Sequence, residues 1–197
     1  MDTSDADIKA VEIAYQCAFA EAENSIKNHE YIDQEVYIPA INELRYAGSH
    51  ASKALISVSP REKIEKYHAA IKHCERARFD SLDAQYQYYL RECRVFREDY
   101  KFVVISEVFP KYIEDASRLE EIKRLVRQEE DKQIRCQHVE QHLTEIRRIY
   151  EGWSIAREEL NKRRRKERYD VFYKTVGMTV GVLTILGIIM GFVASVF

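Results

Sequence analysis

The sequence predicts an all-α protein, a cytosolic bundle of long helices followed by one C-terminal transmembrane helix. Three observations carry that prediction. Before Gly152 there is a single glycine, Gly48, and the three prolines are Pro39, Pro60 and Pro110, so the chain has little turn punctuation. Apolar residues recur at three- and four-residue steps rather than in alternation. The last twenty-three residues, TVGMTVGVLTILGIIMGFVASVF, hold no charge in a chain that is 32% charged.

The elements follow in order. A first helix from about Asp5 to Asn28 places Ile8, Val11, Tyr15, Ala18 and Phe19 on one face, and HEYIDQEVYIP reads as a connection. A second helix starts at Pro39, with Ile41, Leu44, Gly48, Ala51 and Leu55 as a narrow stripe of close approach. SPRE, Ser59 to Glu62, joins an N-cap serine, a proline at the first helical position and a glutamate three residues after the cap. It launches a helix to about Arg97, with Ile64, Tyr67, Ile71, Cys74, Leu82, Tyr86, Tyr89, Cys93 and Phe96 inward. FVVISEVF reads as a short helix or the end of that one. After Pro110 comes a long helix in which Leu119, Ile122 and Val126 lead through the polar interval RQEEDKQ to Cys136, Val139, Leu143, Ile146, Tyr150 and Trp153. That seam is heptad-like, either a coiled coil or a core-facing helix. Gly152 is a candidate hinge.

Length and flanks make the final run a spanning segment. Twenty-three helical residues reach roughly 35 Å, against a hydrocarbon core of about 30 Å. Just upstream stands a basic and aromatic collar, residues 161–174, with Lys162, Arg163, Arg164, Arg165, Lys166 and Arg168 followed by Tyr169, Phe172 and Tyr173. Basic flanks stay on the cytoplasmic side. The expected layout is therefore a cytoplasmic helical domain over residues 1–160, the collar, and a transmembrane helix over 175–197, single-pass in a bacterial inner membrane. Residues 161–197 carry seven Lys/Arg and two Asp/Glu, so the acidic balance of the chain lies in its first 160 residues. The four cysteines are widely spaced, with no CxxC pair, which suits a reduced compartment and offers no metal or disulfide frame.

The apolar run also has a face. Gly177, Gly181, Thr184, Gly187, Gly191 and Ser195 fall within about 120° on an ideal helix. GMTVG and GIIMG are each GxxxG, a spacing that lets helices approach closely. Association through this face makes a dimer or a ring, and a ring encloses a hydrophobic pore.

Candidate chemistry in the first 160 residues is sparse. RYAGSH has the Arg-x4-His spacing, at Arg45 and His50, that resembles HEPN ribonucleases, helical proteins in which an arginine and a histidine from two chains cleave RNA. It departs from that family in having Tyr46 after the arginine and in lying early in the domain. Arg61, His68, Lys72 and Arg76 share one helix face and are candidate anion ligands, although Glu65 and Glu75 share it too. His138 and His142 stand at i, i+4, but HVEQH is not the HExxH of a zinc site. With no GxSxG and no phosphate-cradling glycine loop, no enzyme, cofactor or metal is predicted.

A helical domain on one small-residue membrane helix resembles the single-span membrane effectors and accessory proteins of bacterial antiviral defence. The resemblance implies a homo-oligomer whose helical domain senses a nucleotide, a nucleic acid or a partner enzyme and whose membrane helices form an ion-conducting pore. A membrane-bound HEPN-type ribonuclease and a tail-anchored helical tether or adaptor are the alternatives.

Overall fold

The computed structural model describes residues 5–196, the side chains of 170 and 187–196 excepted. Among the described residues the chain is helical, with no strand. Five α-helices, α1 (Asp5–Asp33), α2 (Ile38–Ile56), α3 (Pro60–Asp99), α4 (Tyr112–Gln128) and α5 (Lys132–Val196), are joined by short connections and one 3-10 turn at Ile105–Glu107.

The middle helix organises the rest. α3 starts where SPRE predicts, the Glu62 amide donating to the Ser59 hydroxyl at 3.5 Å. Its 40 residues span roughly 60 Å. α1 runs parallel to it: the Ser81 hydroxyl and the Gln85 amide both donate to the Ser25 carbonyl, at 2.7 and 3.1 Å, and Arg91 reaches Asp33 at 3.2 Å. α2 runs antiparallel, closing an alanine-lined interface in which Ala40 and Ala47 meet Cys74 and Ala77. At its other end Ala51 and Ala54 meet Tyr67 and Ala70. The expected α2 stripe is therefore rotated, with Leu55 67% exposed and open space where a Gly48 side chain would be. Alanine, rather than the larger aliphatics, sets the close approach.

The second half of α3 packs on the C-terminal helices. α5 runs parallel to α3, with Arg135 on Asp83 at 3.1 Å and Arg157 on Asp99 at 3.3 Å. α4 returns antiparallel along α5, its Arg118 gripping Glu145 through two hydrogen bonds of 2.9 and 3.0 Å and its Asp115 meeting Arg148 at 3.3 Å. The core here joins Tyr86, Cys93 and Phe96 of α3, Leu119, Ile122 and Val126 of α4, and Val139, Ile146, Ile149, Trp153 and Leu160 of α5. The heptad-like seam thus faces the chain's own core and is not a free coiled coil.

Three local expectations change. α1 extends through much of the expected connection and ends at Gln34, whose positive φ of 57° and amide bond to the Glu30 carbonyl form a left-handed cap. The helix expected after Pro110 breaks at 129–131, because the Asp131 carboxylate caps α5 by accepting from the Gln133 and Ile134 amides at 2.8 and 3.0 Å. Gly152 lies inside unbroken helix, and its bare Cα admits the Phe109 ring, which a Cβ would meet at 3.3 Å.

The largest correction concerns the C-terminal run. Among the described residues no helix is long and apolar enough to cross a membrane. This overturns the transmembrane helix, the single-pass inner-membrane placement and the pore and ion-channel reading built on them. Gly187, Gly191 and Ser195 lie in the part of α5 whose side chains are not described, and Gly177, Gly181 and Thr184 are exposed.

Candidate functional site

Arg45 and His50 do not face one another. The Arg45 guanidinium lies over the Tyr46 ring, 5.1 Å from its centroid. Tyr46 in turn meets the His73 ring at 5.5 Å, and His73 stacks on His50 at 5.2 Å with 19° between planes. Two rings therefore separate the two residues of the motif. The ladder is held by α3, where His73 Nδ1 lies 2.7 Å from Glu43 Oε2, with Arg76 at 4.0 Å from the same oxygen. Burial, then His73, Lys53 and Lys66, push the His50 pKa below the usual imidazole value, and its Nδ1 is buried with no partner. Both features favour the neutral form of the His50 imidazole. This arrangement ties α2 to α3, and within one chain it does not converge an arginine and a histidine on one reacting atom.

The α3 candidates separate. Arg61 is engaged by Glu65 at 3.1 Å, and Arg76 turns toward Glu43. Arg61 and Arg76 stand fifteen residues apart, roughly 22 Å along the helix. Lys72 and Arg76 instead border a shallow groove between α3 and α5 with Arg78, Lys132 and Glu140, where Arg78 and Glu140 pair directly and His68 takes no part. His142 turns to Glu145 at 3.6 Å. Among the described residues no group of three His, Cys, Asp or Glu is placed to hold a metal ion.

The collar residues lead out of the domain. Arg163 reaches Glu107 at 2.5 Å, Arg164 donates to the Asp99 carbonyl at 3.2 Å, and Lys162 pairs with Glu158 at 3.1 Å. The buried Tyr100 hydroxyl donates to Asn161 Oδ1 at 3.0 Å beside them. These contacts clamp α5 where it leaves the core. Arg165, Lys166 and Arg168 have no such partner among the described residues and are exposed. Beyond Arg163 every described residue of α5 is exposed, through Leu186.

Sequence reasoning missed two things here. His73 and Glu43, which organise the surroundings of His50, lie thirty residues apart on different helices, and no spacing rule joins them. The second is a cationic cleft between α3 and α4, created by the unforeseen break at 129–131. No protein-family model, curated protein or solved structure matches this chain.

Proposed function

We propose that this chain is a non-enzymatic, self-associating helical adaptor, in which a helical head recognises a ligand or partner and α5 joins the head to a second copy of the chain. The observation that carries this reading is the continuity of α5. One unbroken helix supplies Val139, Ile146, Ile149, Trp153 and Leu160 to the head core and then continues clear of it. A change in how the head packs is therefore carried directly to the stalk.

The stalk needs a cover. Val176, Met178, Val180, Val182, Leu183, Ile185 and Leu186 are all more than 40% exposed and point to different sides of the helix. An apolar surface of that kind marks an interaction site. A second copy offers the same length, the same apolarity and the same small-residue face, which is the requirement of a two-fold interface.

The test uses Gly177→Leu and Gly181→Leu. In the single chain a side chain at either position meets nothing within 4 Å, so neither change disturbs the head. Leucine also favours helix over glycine, which stands about 0.8–1.0 kcal/mol below alanine per position. The expected result is an unchanged or raised melting temperature together with loss of association in sedimentation velocity. Association that survives both substitutions would overturn the small-residue face as the contact.

A further inference from the structure

α4 packs along α5 and not along the backbone of α3, so a cleft of about 520 Å³ remains between α3 and α4. Arg97 on α3 and Glu120 on α4 bridge it at 3.1 Å. Buried Tyr86, Cys93, Leu119 and Val126 form its apolar floor. Five cations line it, Arg94 and Arg97 from α3, Lys123 and Arg127 from α4 and Arg135 from α5, against the two carboxylates of Glu98 and Glu120.

The pairing within the cleft leaves cations over. Glu120 serves both Arg97, at 3.1 Å, and Lys123, at 2.7 Å. Glu98 is engaged outward by Lys101 at 3.4 Å. Arg135 holds Asp83 at 3.1 Å, yet its Nε is buried with no hydrogen-bond partner. Arg94 and Arg127 form no ion pair among the described residues. A buried orphan donor beside unpaired arginines, in a chain whose first 160 residues are acidic on balance, asks for an anion. The volume lies within the roughly 300–1,000 Å³ range of small-molecule sites, and an apolar floor under a cationic rim suits a ligand with both a flat apolar part and phosphates.

We infer that the α3–α4 cleft binds a phosphorylated small molecule of nucleotide size, its phosphates held by Arg94, Arg127 and Arg135. The site rests on the reading of the head as the ligand-recognising part.

The experiment is calorimetric titration of the full chain with adenosine triphosphate and, separately, with inorganic tripolyphosphate, both without divalent cations, and of the Arg94→Gln/Arg127→Gln variant. Both substituted side chains are exposed, and far-UV circular dichroism checks that the fold is kept. The expected result is binding of the nucleotide, weaker binding of tripolyphosphate, and a loss of roughly tenfold per arginine removed. Binding of neither probe would overturn the proposal, as would equal binding by the variant. Tripolyphosphate binding as tight as the nucleotide would overturn the role of the apolar floor. Sedimentation of the same samples separates the two ideas: binding by a monomer upholds the cleft and removes only self-association, while association without binding removes only the cleft.

Discussion

Replacing Trp153 tests how firmly α5 is seated in the head. The side chain is fully buried, with its ring centroid 5.2 Å from that of Phe96 on α3 and 5.0 Å from that of Tyr112 on α4. It is thus the point at which three helices share one contact. Truncating a core tryptophan to alanine costs about 3–5 kcal/mol. Against that stands the indole N–H, which is buried with no partner and whose removal recovers about 1–3 kcal/mol. The net expectation for Trp153→Ala is a destabilisation of about 2 kcal/mol, or a fall of roughly 4–8 °C in melting temperature for a chain of this size. Trp153→Phe keeps most of the ring and sheds the orphan donor, so its expected cost is only about 1 kcal/mol. Urea and thermal unfolding followed at 222 nm measure both. A phenylalanine variant as unstable as the alanine variant would refute the reasoning, because it would mean that the N–H is satisfied and carries the site.

Further outcomes follow from burial and charge. Burial pushes the Cys74 thiol up to about 11 and the Cys93 thiol up to about 12, whereas Cys17 is exposed. A thiol reagent should label Cys17 quickly in the native protein and reach Cys74 and Cys93 only on unfolding; rapid native labelling of Cys93 would contradict the packing of α3. His29 is 3% exposed, and burial lowers its pKa against the opposing pull of Asp33, Glu30 and Glu35. Its folded pKa lies below the unfolded value, so the stability that it contributes is complete above about pH 6.5 and is lost as pH falls through the lowered folded value. The drop in melting temperature between about pH 7.5 and about pH 5 should be smaller in His29→Leu than in the parent chain, and an equal drop would count against a neutral buried imidazole.

The legibility of the chain divides by the range of the interaction. Capping by Ser59 and the inward face of α3 are local properties, and both can be read from SPRE and from the three- and four-residue apolar steps. The break before α5 is local as well: Asp131 within RQEEDKQ is an N-cap signal, masked by its strongly helix-forming neighbours. What spacing cannot provide is direction in three dimensions. It cannot bring Glu43 to His73, nor show that α4 leaves α3 to follow α5 and so opens the cationic cleft. The apolar composition of 175–197 was plain, but its meaning depended on what covers it, and a helix surface carries no label for its partner.

The molecular mass of the purified full chain, by light scattering across a range of concentrations, tests the self-associating stalk most directly. A discrete multiple of the 23.3 kDa chain mass is the predicted result. A particle of 23.3 kDa at every concentration, or a continuous spread of sizes without a defined species, would contradict it.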